Sequence, residues 1–177
     1  MYRLIVAEDM ALKRTSSDVQ ISSTVLQAVA NTFTQVEIDL QLSPLDNEVF
    51  IVTALDIDTR PPDALAGIDT EVKAYVATTS QAAAVGINET NVLGAQRLNI
   101  QAAGFADAGV GFDQLGGTTP TGDLSYIGII ATNNYFLGID SKACVNLKST
   151  NVRLYGYRAR ADASTYAALV SSEVLSA

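Results

Sequence analysis

Residues 34–42 set Val36, Ile38, Leu40 and Leu42 on one side of an extended chain and Gln35, Glu37, Asp39 and Gln41 on the other. Successive side chains of a strand point to opposite faces, so this strict alternation specifies a strand with one face in a core and one in water. The pattern returns twice. Residues 48–58 place Val49, Ile51, Leu55 and Ile57 in one register, and residues 69–79 set Val72, Ala74 and Val76 against Lys73, Tyr75 and Ala77. Turn chemistry separates the runs. Ser43-Pro44-Leu45-Asp46-Asn47 reads as a turn, and Arg60-Pro61-Pro62-Asp63 ends the second strand because proline has no N–H to give to a ladder.

Later in the chain, strands are expected at residues 124–132, 135–139, 143–147 and 151–159, divided by Asn133-Asn134, Asp140-Ser141 and Ser149-Thr150. Earlier, residues 18–30 carry Val19, Ile21, Val25, Leu26 and Val29 and add another strand or two. Many short strands with no alternating helices specify an all-β sandwich or barrel. Between residues 80 and 123 the texture shifts to Ala, Gly, Asn and Thr, which reads as a long excursion of ordered loops with one short strand at residues 97–101. Asp162-Ala163-Ser164 has the form of a helix start, and Tyr166, Leu169, Val170 and Val174 then fall on one face of a short C-terminal helix. The expected organisation is an N-terminal arm (1–17), one β-sandwich domain (18–161) and a helical tail (162–177).

The 177 residues contain no histidine. That removes the usual acid–base group near neutral pH and the commonest metal ligand, and with it every triad that depends on histidine. One cysteine, Cys144, leaves no intrachain disulfide and no zinc site of the usual kinds. Its neighbours Ala143 and Val145 suggest a small buried hydrophobe in a strand. No apolar run reaches the ~18–20 residues of a membrane helix, and the short apolar start around Leu4-Ile5-Val6 is interrupted by Glu8 and Asp9. No membrane insertion is expected.

The candidates for site chemistry are few. Asp56 and Asp58 sit two apart on a strand, hence on one face, where oxygen ligands could hold Ca²⁺ or Mg²⁺; an acidic solvent face is the plainer reading. Paired carboxylates also hydrolyse glycosides, at a separation that sequence does not supply. The segment Gly111-Phe112-Asp113-Gln114-Leu115-Gly116-Gly117-Thr118 imitates a phosphate-binding loop, yet Gly117 stands where the lysine belongs. Asn88-Glu89-Thr90 matches a glycosylation sequon. No catalytic residue and no cofactor is expected.

Net charge is −8, which disfavours a general nucleic-acid binder. Lys13-Arg14 on the arm offers a polyanion only two charges, and Arg153 and Arg158 face opposite sides of their strand, so contact with nucleic acid is weak or absent. The charge is segregated. From residue 37 to 71 there are nine acids and one base, and from 142 to 160 there are five bases (Lys142, Lys148, Arg153, Arg158 and Arg160) and no acid. The halves read either as separate solvated faces or as surfaces that meet between subunits.

The tracts Ile130-Ala131-Thr132-Asn133-Asn134-Tyr135-Phe136-Leu137-Gly138-Ile139, Asn151-Val152-Arg153-Leu154-Tyr155-Gly156-Tyr157-Arg158-Ala159 and Tyr166-Ala167-Ala168-Leu169-Val170 resemble structural proteins of marine viruses. In size and texture the chain is similar to viral single jelly-roll capsid proteins. The resemblance implies a single jelly-roll antiparallel sandwich of eight strands in two facing sheets, no catalysis, location in the virion, and assembly with copies of itself and with other capsid proteins. Its rival from another class is a lectin-like, carbohydrate-binding module of a phage tail or cell-surface appendage, with calcium at Asp56 and Asp58.

Overall fold

The computed structural model describes residues 12–104, 111–116 and 124–175. In chain order the strands are β1 (Leu12–Arg14), β2 (Val19–Leu26), β3 (Thr34–Asp39), β4 (Glu48–Thr59), β5 (Thr70–Ala77), β6 (Val92–Gln101), β7 (Gly111–Gly116), β8 (Gly128–Ile130), β9 (Asn134–Lys142) and β10 (Ser149–Ala161), followed by the helix α1 (Ala163–Leu175). One sheet runs β10-β4-β8, with β1 and β2 lying end to end along the free side of β10; the other runs β3-β9-β5-β6-β7. All pairings are antiparallel.

The pairings nest. Strand β2 pairs with β10, β3 with β9, β4 with β8 and β5 with β6, so the chain behaves as one long hairpin. The hairpin then rolls up until β10 also meets β4 and β9 also meets β5, which closes the two sheets. Their inner faces bury one core. Phe50, Val52, Leu55, Ile57, Ile130, Val152 and Leu154 come from the first sheet, and Val72, Ala74, Val76, Tyr135, Leu137 and Ile139 from the second. The all-β sandwich with a short C-terminal helix is therefore as expected from the alternation.

Strand β4 departs from simple alternation. Val49 and Ile51 belong to a second cluster on the outer face, while Leu55 and Ile57 point inward, so the four do not share one register. The cause is a bulge. Tyr155 opposes Ala54 and Gly156 opposes Val52, leaving Thr53 as the extra residue that flips side-chain parity. Before the bulge both faces are buried, because α1 lies over Val49, Ile51, Ala159 and Ala161 with Tyr166, Leu169 and Val170. A continuous Val49-Phe50-Ile51-Val52 run is what double-sided burial demands.

The helix starts one residue after β10. Asp162 accepts the Thr165 N–H at 2.7 Å and the Ser164 hydroxyl at 2.6 Å, the arrangement of an N-cap. These bonds, that of the Ser164 hydroxyl foremost, lower its pKa to about 2. Val174, expected on the packed face, is exposed; Glu173 is the helix residue that is buried.

A second row crosses the outer face of the β3-β9-β5 sheet. Gln35, Gly138 and Tyr75 are register neighbours, and the Tyr75 ring lies flat over Gly138 to give its hydroxyl to Gln35 Oε1 at 2.7 Å. Phe33 stacks on the ring with centroids 6.3 Å apart. Tyr75 is thus fully buried although its position in the alternation assigns it to the wet face, and burial pushes its phenol pKa upward.

Several expectations are corrected. Residues 143–147 form a loop, because the N–H groups of Cys144, Val145 and Asn146 bond to the Asn31 and Asp63 side chains in place of a neighbouring strand. The strand expected at 124–132 shortens to β8, with Leu124 and Tyr126 exposed. The excursion at 80–123 is partly sheet: β6 and β7 extend the second layer. The arm is not wholly outside the domain, since β1 pairs with the end of β10. Residues 1–11, 105–110, 117–123 and 176–177 lie outside the described residues.

Candidate functional site

The segregated charges meet inside one chain. Strands β4 and β10 are neighbours, so the acidic and basic stretches run side by side. Arg158 bonds Glu48 at 3.1 Å, Arg160 bonds Asp46 at 2.8 Å, Lys148 bonds Asp63 at 2.6 Å, and Arg153 lies in register with Asp56. Arg158 also donates to the carbonyls of Leu40 at 2.8 Å and Gln41 at 3.0 Å, tying the chain beyond β3 to the other sheet. Three of the nine acids, Asp46, Glu48 and Asp63, are thus paired with the basic stretch within the chain.

Asp56 and Asp58 do share a face. They follow the bulge on β4 and project from the part of the outer sheet face that α1 leaves uncovered. Opposite them stand Arg153 and Asn151 of β10, and beyond these Ser22 and Thr24 of β2. Together they line a groove of about 500 Å³. Thr24 donates to Asn151 Oδ1 at 2.9 Å and the Tyr155 hydroxyl to Asp56 Oδ2 at 3.3 Å. Tyr155, and behind it Asp56, hold the Arg153 guanidinium more firmly in its charged form. Two carboxylates, a guanidinium, an amide and two hydroxyls on a rigid sheet make a hydrogen-bonding surface for a polar ligand. Among the described residues no cluster of three or more His, Cys, Asp or Glu side chains gathers as a metal-ligand set.

A denser polar site closes one end of the sandwich, and sequence reading missed it. Asp63, just past the Pro61-Pro62 break, accepts the N–H groups of Val145 and Asn146 at 2.8 Å each, the Asn146 amide at 3.1 Å, and Lys148. Burial works against its charge, but the Lys148 ammonium and the Asn146 and Val145 donors outweigh it and hold the carboxyl below the usual range. Lys148 is almost wholly buried, its side chain 3 % exposed. Beside it Gln27 Oε1 accepts the Lys148 N–H at 3.1 Å and the Ser141 hydroxyl at 3.0 Å. Asn31 clamps Cys144 with both ends of its amide, at 2.7 and 2.8 Å. Loops 27–33, 60–69 and 143–148 are thereby locked together.

With this geometry in place, a scan against protein-family models finds no family that matches the chain, and a search of the curated proteins finds no match.

The remaining candidates fall in scattered places. Cys144 is buried as expected, at the centre of the loop clamp. Gly111–Gly116 of the phosphate-loop lookalike is β7, a sheet edge, and Gly117 and Thr118 lie outside the described residues. Asn88, Glu89 and Thr90 occupy an exposed turn before β6. Arg14 is held by Asp18 at 2.8 Å and lies 4.3 Å over the Tyr157 ring, so it is engaged within the fold. Among the described residues, no helix is long and apolar enough to cross a membrane. The one available signal for the loop network was an acid directly after paired prolines, which alone does not reveal its lysine partner.

Proposed function

We propose that this chain is a virion structural protein, a jelly-roll capsid subunit that assembles with copies of itself and with other capsid proteins. The observation that carries the reading is the nested order of strands. A single hairpin rolled so that β2-β10-β4-β8 faces β3-β9-β5-β6 is the winding expected of two interlocked Greek keys. Strand β7 is then an addition at one edge. A jelly roll leaves its loops at the ends of the sheets for contact with neighbours, and here those loops carry apolar groups in water. Leu26, Val29, Val145 and Leu147 are 58 %, 60 %, 69 % and 40 % exposed around the locked loops. Exposed apolar groups gathered on a rigid support favour association. On this reading the chain performs no catalysis and takes no cofactor.

Sedimentation of the purified protein tests the reading. Large particles or discrete rings are expected across salt and divalent-ion conditions. The double variant Val29→Asp/Val145→Asp should shift the population to small species while leaving the circular dichroism spectrum unchanged. A wild-type protein that stays monomeric at high concentration counts against the proposal.

The polar groove beside Asp56 and Asp58 favours a second reading, a lectin-like carbohydrate-binding module. Glycan-array binding that needs Ca²⁺ and falls at least tenfold in Asp56→Asn or Asp58→Asn would support it. A melting temperature unmoved by Ca²⁺, with no glycan signal, would remove it.

A further inference from the structure

Glu173 is an outlier in its helix: it is the one charged residue of α1 and also its most buried one, 8 % exposed. Its Oε2 accepts the N–H groups of Ala131 at 3.0 Å and Thr132 at 2.8 Å, in the turn between β8 and β9. This pins the last turn of α1 to the sandwich. Oε1 meets no donor in good hydrogen-bond geometry; the Thr78 hydroxyl faces the carboxyl from the end of β5, close enough to favour its charged form but not to offset burial. Both residues line a cavity of about 200 Å³ between α1, β8 and the start of β6. No lysine or arginine among the described residues pairs with Glu173.

A buried carboxylate with one oxygen unsatisfied and no counter-ion is costly, and a proton removes the cost at once. We propose that Glu173 is a proton-controlled latch: protonated, it holds α1 on the outer face of the β10-β4-β8 sheet, and on losing its proton it loosens the helix. The acid form suits the geometry on both sides, with Oε2 receiving the two backbone N–H groups and an Oε1 hydroxyl offered to Thr78.

Nothing else nearby answers to pH in the same way. The cavity wall (Thr78, Thr90, Asn91, Leu93, Ile127 and Ile129 among it) carries no ionisable side chain. From β4, β10 and β1, the apolar cluster under the helix includes Tyr157, with Arg14 over its ring and paired to Asp18. On the helix itself there is Tyr166, with the exposed Asp162 carboxylate at its start. Burial raises the pKa of Glu173, against the bonds from Thr132 and Ala131. The sign follows from linkage. The docked helix binds the proton more tightly than the released one, so docking is firmest at and below the ordinary glutamate range and weakens as pH rises through the docked-state value. Release would uncover Val49, Ile51, Ala159 and Ala161, an apolar strip on an otherwise polar face. The inference stands whether or not the chain assembles.

Amide hydrogen exchange on the full chain, with rates corrected for intrinsic pH dependence, tests it. Protection of the α1 amides should fall between pH 5 and pH 8, by at most about tenfold per pH unit for one proton. Glu173→Gln presents a carbonyl to Ala131 and Thr132 and an amide donor to Thr78, so it should keep the protection and flatten the slope. Should that variant fail to dock, the wild-type Glu173 carboxyl can be followed directly by carbon NMR. A midpoint above the ordinary glutamate range is expected. Flat wild-type protection, an unchanged slope in Glu173→Gln, or a midpoint at or below the ordinary range would overturn the proposal.

Discussion

Replacing Lys148 by Met is expected to destabilise the protein by about 1.5–3 kcal/mol, because it removes a charged hydrogen bond from the part-buried Asp63, which keeps its Val145 and Asn146 donors. The Lys148 ammonium sits 2.6 Å from Asp63 Oδ1 with its side chain 3 % exposed, at the junction of three loops. Urea midpoints measure the loss. Adding Asp63→Asn to the Lys148 variant should restore part of it, since the double change leaves no unpaired charge. The pair also sets an acid limit. The folded-state pKa of Asp63 lies below its unfolded value, so its contribution is complete above about pH 4 and disappears as pH falls below that. In Lys148→Met this acid-side slope should shrink. An unchanged slope would mean that the backbone donors of Val145 and Asn146 hold the carboxylate without the lysine.

Gly156→Ala should cost about 3 kcal/mol or more, at the upper end of what added core bulk does. A methyl at this position would lie 2.1 Å from the Ile51 carbonyl oxygen and 2.5 Å from the Phe50 ring. Gly156 faces the β4 bulge, and the obstacle is backbone, which cannot swing away. Gly138→Ala makes a useful contrast. Its methyl would meet the Tyr75 ring at 2.3 Å, but a side chain can turn aside by giving up the Phe33 stack and the bond to Gln35. Thermal unfolding of the two variants should rank Gly156→Ala as the more damaging. The opposite ranking would show that the bulge is softer than the aromatic cover.

Strand positions were legible in the sequence wherever one face was wet. Val36 and Ile38 of β3, and Val72, Ala74 and Val76 of β5, sit on the sides that alternation assigns them. It misled where a second layer or a bulge intervened. Val49 and Ile51 looked like partners of Leu55 and Ile57 because an extra residue at Thr53 and a helix far along the chain leave no mark on local periodicity. Tyr75 looked half-wet because its cover comes from Phe33 and Gln35, some forty residues earlier. The strand expected at 143–147 failed for a related reason: its backbone donors are taken by Asn31 and Asp63, which sequence places about 113 and 82 residues away.

The candidate sites divide in the same manner. That Asp56 and Asp58 share a face follows from spacing alone, but that Arg153 and Asn151 stand opposite depends on the register of β10. The uneven charge along the chain was visible at once; that β4 and β10 are neighbours, so that part of it is paired within the molecule, was not. Nothing in the local sequence singles out Glu173 in the C-terminal helix. Only the packing of its last turn against the β8–β9 turn reveals it as buried.

Electron microscopy of the purified protein in negative stain tests most directly the proposed role of this sandwich as a shell subunit. Closed particles or regular rings of one size are predicted, and they should vanish in Val29→Asp/Val145→Asp. A field of single small molecules at every salt and divalent-ion condition would contradict it.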